Sequence, residues 1–414
     1  MKKLISVLLA LVMCLSVTTL AWADGEMATV YVNTATGSDT AENVGTKDAP
    51  AKTLQKAMEL VATEGTIIVT GETTVRFWGD QNTDKTIAGG HYYVTKSVTI
   101  EGDGMTDVNG IALPSDFGGK LTLRNITFDG TGAIGIYDGG LASTAELVID
   151  HCTFTKAGGN CVYIGTEIES LTVKDCTFTT PTGDTYSKQY LVWPSAAKNI
   201  IITDNHFYGN GNTRAAIHLG TGHSQGTTAK VTGNTIDGFE RGVQLALSNN
   251  AENNVTITGN TFSKIARAAN SSAEEKQYGV IFVHETMKNT TTVTYGNNTL
   301  NESQQEIYTE NTEVSVEGIF SVPEGSVLVK NNDGTYSVVA KQPAPTPEPP
   351  APVEPEQPAH TNRRYPATTT TTETPAKGND ITSAKTFDGG VALYVGMALT
   401  STLGMAWMGK KRAH

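Results

Sequence analysis

The chain has 414 residues, of which 42 are Gly and 15 are Pro, and a formal net charge of −12. That acidic balance argues against a nucleic-acid binder, and the length allows one large domain with tails. Only 17% of residues are charged, while Thr, Asn and Gly are abundant, which suits a β-rich, turn-rich protein better than a helical one.

Residues 1–23 read as a signal peptide. Lys2 and Lys3 precede an apolar core, and Ala21-Trp22-Ala23 supplies a small-x-small cleavage site, so the mature chain is expected to start near Asp24. Cys14 follows the bulky Met13, where a lipidation signal needs a small residue.

From residue 124 a motif recurs: "RNITF" ending at Phe128, "DHCTF" at Phe154, "KDCTF" at Phe178, "TDNHF" at Phe207, "TGNTI" at Ile236, "TGNTF" at Phe262 and "GNNTL" at Leu300. Successive spacings of 26, 24, 29, 29, 26 and 38 residues describe a solenoid whose loops absorb the differences. A short alternating run such as "LVIDH", "LTVKD" or "IIITD" leads into each motif. A further β-like run follows, as in "NCVYIGT", "YLVWPS", "AAIHLGTG", "RGVQLAL" and "YGVIFVH". Two or three short strands per repeat predict an all-β fold made of coils of parallel strands.

This pattern, over residues 28–302, resembles the right-handed parallel β-helix of the pectin-lyase-like superfamily. The resemblance rests on the coil pattern rather than on a catalytic motif. The entry segment beginning "VYVNTATGSDT" is similar to the start of many surface β-helix proteins. In it "KTLQKAMEL" (52–60) should form a short amphipathic helix covering the open end of the first coil. The β-helix domain is expected over residues 24–312. Residues 313–342 then form a closing β segment, where Asp333-Gly334 favours a tight hairpin turn.

Stacked coils place aligned residues in columns about 4.8 Å apart. The Phe column (Phe128, Phe154, Phe178, Phe207, Phe262, with Ile236 and Leu300) should be core. Two residues earlier runs a second inward column: Ile126, Cys152, Cys176, Asn205, Asn234, Asn260 and Asn298. Its Asn side chains can hydrogen-bond along the axis, and a thiol fits the same slot. Cys152 and Cys176 are close enough in that column for a disulfide, but parallel strands point both β-carbons the same way, which favours stacked thiols. Cys161 lies on a different strand. Nothing supplies the converging ligands of a zinc site, so no metal residue is expected.

Two sets of outward residues are candidates for function. Three positions before each Phe stand Asn125, His151, Asp175 and Asp204. His151, Asp175 and Asp204 on consecutive coils can act as acid and base in glycoside chemistry or bind Ca²⁺, and the same positions suit turn residues bonding their own backbone. No cofactor is otherwise implied. The second set is the outer column of the later strand, aligned as Gly135, Tyr163, Trp193, His218, Gln244 and Ile281. Aromatic rings there can stack on sugar faces while His218 and Gln244 bond hydroxyls, with the insertions 179–189 and 220–229 as walls. Packing under a loop is the alternative.

The C-terminal region changes character. Residues 343–382 are Pro- and Thr-rich, the composition of an extended linker. Residues 389–409 are an uncharged apolar run, about 31 Å long as a helix and enough to cross a bilayer. Lys410, Lys411 and Arg412 follow it, a basic flank that belongs on the cytoplasmic side. Residues 383–414 together resemble a Gram-positive cell-wall sorting signal. "SAKTF" (Ser383 to Phe387) stands at the sortase motif but departs from it at Ala384 and Phe387, so a plain membrane anchor is the alternative.

These features imply an exported, surface-anchored, monomeric β-helix protein. Its partners would be a glycan or polysaccharide surface, the membrane through the C-terminal helix, and peptidoglycan if the chain is sorted. The expected function is non-catalytic binding or presentation. The alternative implied by the superfamily is a polysaccharide lyase or glycoside hydrolase using His151, Asp175 and Asp204, with Lys174 or Arg124 neutralising a uronate. Against the enzyme, "TD" and "GHS" (at His223) occur, but no adjacent Asp pair or RIK follows as in polygalacturonases. A rigid spacer without a ligand is the third reading.

Overall fold

The computed structural model describes residues 25–73, 94–107, 111–113, 117–129, 136–138, 141–157, 159–183, 185, 187–271 and 277–342. The segments expected as signal peptide (1–23), linker (343–382) and anchor (383–414, with the apolar run 389–409), together with Gly135, lie outside these residues.

Each coil repeats one plan. Around the cysteines, strands Glu146–Asp150, Thr153–Thr155 and Val162–Ile164 make one coil, and Ile168–Lys174, Thr177–Thr179 and Ser187–Pro194 the next. Strands of successive coils pair in parallel and in register: Leu147 with Leu171, Phe154 with Phe178, Val162 with Val192. The first two strands of every coil join one sheet and the third joins a second sheet. Alternation explains the strands, since Leu171 and Val173 are buried while Thr172 and Lys174 between and after them are only partly so.

Between the first and second strands the chain turns on one residue of positive φ: Asn125 (54°), His151 (53°), Asp175 (54°), Asp204 (55°), Gly233 (69°) and Asn297 (54°). Asn, Asp, His and Gly are the residues that tolerate this left-handed conformation best. The turns stack through the backbone, His151 N–H donating to Lys174 O and Asp175 N–H to Thr203 O.

The residue after each turn points inward and builds the expected ladder. Asn205 Nδ2 donates to Asn234 Oδ1 at 2.9 Å, Asn234 Nδ2 to Asn260 Oδ1 at 2.9 Å, and Asn260 Nδ2 to Asn298 Oδ1 at 3.1 Å. The same oxygens accept the backbone N–H groups of Asn205, Asn234 and Asn260. Cys176 joins the ladder at its end, its N–H donating to Asn205 Oδ1 at 2.9 Å. Cys152, Cys161 and Cys176 are free and buried, and burial raises the thiol pKa of Cys161 and Cys176. Two residues on, the rings of Phe128, Phe154, Phe178 and Phe207 stack with centroids 4.6–4.7 Å apart. Leu300 departs from this column: it is 38% exposed, because among the described residues strand Thr299–Asn301 stacks only on Thr261–Ser263 and no later strand pairs with it.

Both ends are closed. Helix Leu54–Leu60 is capped by Thr53, whose hydroxyl accepts from Lys56 N–H, and buries Leu54, Ala57 and Met58 against the first strands. At the other end, helix Val316–Ile319 leads into Phe320–Ser321, and then strands Ser326–Lys330 and Tyr336–Ala340 form the expected hairpin. Its turn spans 331–335 rather than two residues, with Gly334 at φ 88° and Asn331 N–H donating to Thr335 O. Ile307 pairs antiparallel with Tyr336, and Val338 N–H donates to the Glu306 carboxylate at 2.8 Å. Among the described residues, no helix is long and apolar enough to cross a membrane.

Candidate functional site

The outer column of the second sheet runs Tyr163, Trp193, His218, Gln244, Phe282 and Tyr308. Ile281, expected in this column, instead pairs with Val243 and Ile307 and is fully buried. Gly279 stands opposite Arg241 rather than Gly242, and this one-residue slip sends Ile281 inward and Phe282 outward. On the other side Tyr163 is in register with Tyr137, which takes the place assigned to Gly135.

The sequence pattern missed Tyr190. Three residues before Trp193, it should alternate to the opposite face. However, Leu191 and Val192 are both fully buried, and this local break in alternation brings Tyr190 and Trp193 to the same side. Tyr190 stacks on His218 with centroids 4.2 Å apart and meets Trp193 edge-on at 5.3 Å. Trp193 also meets Tyr163 edge-on at 4.7 Å and His218 at 5.0 Å. Tyr163, Tyr190 and Trp193 remain half-buried, and their edge-on contacts make a compact cluster rather than a flat platform.

Beneath them the polar groups are more deeply set. Gln244 is 1% exposed and spends both ends of its amide on protein: Oε1 accepts from Arg241 Nη1 at 2.6 Å, and Nε2 donates to the Tyr190 hydroxyl at 3.3 Å. It therefore braces Tyr190 from below, a contact that the column alignment alone does not reveal. Arg214 Nη1 also donates to the Tyr190 hydroxyl, and Arg241 lies over the Phe282 ring while bonding Gln277 O. His218 is 7% exposed; burial first, then the charges of His284, Arg241 and Arg214, push its pKa down to about 3. Trp193 Nε1 and His218 Nδ1 are both buried without a hydrogen-bond partner.

The loop in the 220–229 insertion closes beside this column. Gly222 N–H donates to Ser195 O, and Glu167 accepts from both Ser224 N–H and its hydroxyl, holding its own carboxyl below the usual range. His223 is buried there with Nδ1 accepting from Gln225 N–H, a loop-closing role.

Of the set His151, Asp175 and Asp204, the structure brings the first two close together. His151 Nδ1 lies 4.0 Å from Asp175 but hydrogen-bonds Asp150. Asp204 accepts from the hydroxyl of its neighbour Thr203 at 2.9 Å. The residue overlooked here is Asp150, with a side chain only 4% exposed. Arg124 Nε and Lys174 Nζ each lie 3.2 Å from its carboxylate. Burial would raise the pKa of Asp150, but bonds from His151 and Lys174 and the Lys174 charge outweigh that and hold it below the ordinary value. Arg124 and Lys174 thus serve an internal carboxylate, in a ladder of alternating charge that runs Glu101, Arg124, Asp150, Lys174. Asp150, His151 and Asp175 can each place one ligand atom within 4.8 Å of the others, the only such set among the described residues. Two cations already neutralise the central carboxylate, so the donor set is a poor fit for Ca²⁺.

A coil of in-register parallel strands with an inward Asn ladder and a polar-aromatic outer column defines a parallel β-helix. The family described as the right-handed β-helix region matches residues 109–333, more than half of the chain, and the chain belongs to that family. No curated protein matches it.

Proposed function

We propose that this protein is a cell-surface β-helix that binds glycans without turning them over. The observation that carries the reading is the half-buried Tyr163–Tyr190–Trp193 cluster on the outer face of the second sheet, braced from below by Gln244 and Arg214. Rings held at fixed angles, with buried polar atoms among them, are the groups that grip a sugar's apolar face and its hydroxyls together. Export and display rest on the signal peptide, the Pro/Thr-rich linker and the sorting-signal-like end of the sequence. Under this reading the linker holds the domain away from the membrane or the wall.

The test is a glycan array probed with the full-length chain. Binding to at least one glycan is expected, abolished by Trp193→Ala and accompanied by no turnover. Binding that survives Trp193→Ala refutes the assignment of the site. The second reading, a surface polysaccharide lyase or glycoside hydrolase, draws on the 4.0 Å approach of His151 to Asp175. It predicts uronide depolymerisation that Asp175→Ala removes, an outcome that would replace the non-catalytic reading.

A further inference from the structure

We infer that the C-terminal end of the solenoid is an interface between two copies of this chain, joined strand to strand through Ser326–Lys330. The monomer expected from the sequence is then the dilute state. Among the described residues the exposed large hydrophobic side chains are Ile201 and Tyr208 in the middle of the solenoid and Leu300, Val327, Val329 and Val339 at this end. The opposite end has its helix, which buries Leu54, Ala57 and Met58. Ser326–Lys330 is also the outermost strand of the second sheet, pairing only with Tyr336–Ala340 among the described residues. Its bonds within the hairpin fall at alternate residues, as Lys341 N–H donating to Gly325 O and Asn331 N–H to Thr335 O show. Val327 and Val329, in register with Val339 and Ser337, therefore turn their backbone groups into the hairpin, and Leu328 and Lys330 turn theirs outward. An edge strand is ordinarily blunted by a proline or a charge within it, and Ser326 to Val329 carries neither.

A second copy fits this edge because the strand is complementary to itself. Turned about a two-fold axis through Leu328, two such strands run antiparallel. Leu328 then exchanges backbone bonds with Leu328 of the second copy, and Lys330 N–H donates to Ser326 O of the second copy. Ser326 N–H is not needed, since it already donates to Pro323 O at 3.0 Å. Val327 stands opposite Val329 of the second copy, so the exposed valines of the two hairpins join into one apolar strip. The charges agree with this direction. Glu324 precedes the strand and Lys330 ends it, both exposed, so antiparallel pairing brings unlike charges together where parallel pairing would bring like ones. Two strands of 5 residues make a contact smaller than the roughly 1,200 Å² of stable complexes, so the dimer is a reversible one that forms at high concentration.

The experiment uses the full-length chain with Cys14→Ser, which leaves the buried Cys152, Cys161 and Cys176 as its native thiols. Ser326→Cys, Leu328→Cys and Lys330→Cys are introduced singly, oxidised mildly and run on non-reducing gels. In a directly opposed, hydrogen-bonded pair the α-carbons lie about 5.5 Å apart, within disulfide range. The expected result is a covalent dimer from Leu328→Cys alone, and from Ser326→Cys only when it is mixed with Lys330→Cys. Equal crosslinking of all three single variants would mean random collision and overturn the pairing, as would no crosslinking of Leu328→Cys. Sedimentation velocity of the chain without added cysteines follows the reversible dimer. Each substitution acts twice in a symmetric dimer, so Val329→Lys should weaken association by about tenfold. Glu324→Lys should weaken it by about fivefold, as both exposed ion pairs are lost at once. Both positions are exposed, and circular dichroism establishes that each variant is folded. A monomer at every concentration overturns the interface, and so does a dimer that Val329→Lys leaves unchanged, which would place the association elsewhere in the chain.

Discussion

Replacing Asn234 by Ala removes a rung from the middle of the ladder. Its Oδ1 accepts from the backbone N–H of Asn205 at 3.0 Å and from Asn205 Nδ2 at 2.9 Å, and its Nδ2 donates to Ile202 O at 2.9 Å. After truncation, Asn205 Nδ2 still has Val173 O at 2.9 Å and Asn260 Oδ1 still accepts the N–H of residue 234. The backbone N–H of Asn205 has no such substitute, and Asn205 is fully buried. One orphaned buried donor costs about 1–3 kcal/mol, and each of the two further lost bonds about 1 kcal/mol, so Asn234→Ala should destabilise the fold by roughly 3–5 kcal/mol. The same change at Asn298, which is half-buried at the end of the ladder, lets water replace the side chain and should cost only about 1 kcal/mol. Urea denaturation of the two variants, followed by circular dichroism, measures the difference. Equal costs, or a cost below 1 kcal/mol at Asn234, would refute the idea that the ladder is held by buried amides rather than by strand pairing alone.

Other tests address the site and the cysteines. His218 is neutral in the fold with a pKa pushed down to about 3, against about 6.5 in the unfolded chain. Its contribution is fully present above the unfolded value and is lost as pH falls from there toward 3. At pH 5 that amounts to about 2 kcal/mol relative to pH 7. His218→Phe should therefore lose about 2 kcal/mol less stability than wild type between pH 7 and pH 5 in parallel denaturation curves. His284 with its neighbour Glu310, Arg214, Arg241 and Tyr190 are common to both proteins and cancel in the difference. Identical pH dependence would show that His218 is not held neutral. Cys176→Asn should be tolerated and raise stability by about 1 kcal/mol, since an amide there can bond both Asn205 Oδ1 and Ile149 O. A destabilised variant would mean that the ladder ends at Asn205 for steric reasons.

The coil was legible because its signals are local and repeated. The Thr-Phe motif, the left-handed residue three positions before it and the inward Asn recur often enough to align without a structure. The ends of that regularity are where sequence reading failed. Leu300 matches the Phe column in spacing, yet exposure depends on whether another coil follows, which spacing does not tell. Ile281 was misplaced because two glycines, Gly242 and Gly279, invite alignment with each other although they sit one position apart in the pairing. In the outer column Trp193 and His218 could be picked out as chemical types. The cluster could not, because Tyr190 reaches it through a break in alternation and Gln244 turns out to be committed to Arg241 and Tyr190. Asp150 was passed over for the opposite reason: its column of alternating charge reads as ordinary solvated surface, while the fold buries the carboxylate.

A stack of parallel coils has no intrinsic length, since each new turn offers the next molecule the same hydrogen-bonding template. Here the coil plan stops in the second sheet at a hairpin: Tyr336–Ala340 pairs antiparallel to Ile307–Thr309, and Ser326–Lys330 lies outside it as the last strand, while helix Leu54–Leu60 sits over the opposite opening. The hairpin replaces a three-strand coil by a two-strand ribbon, so the repeat that would template a further coil ends there.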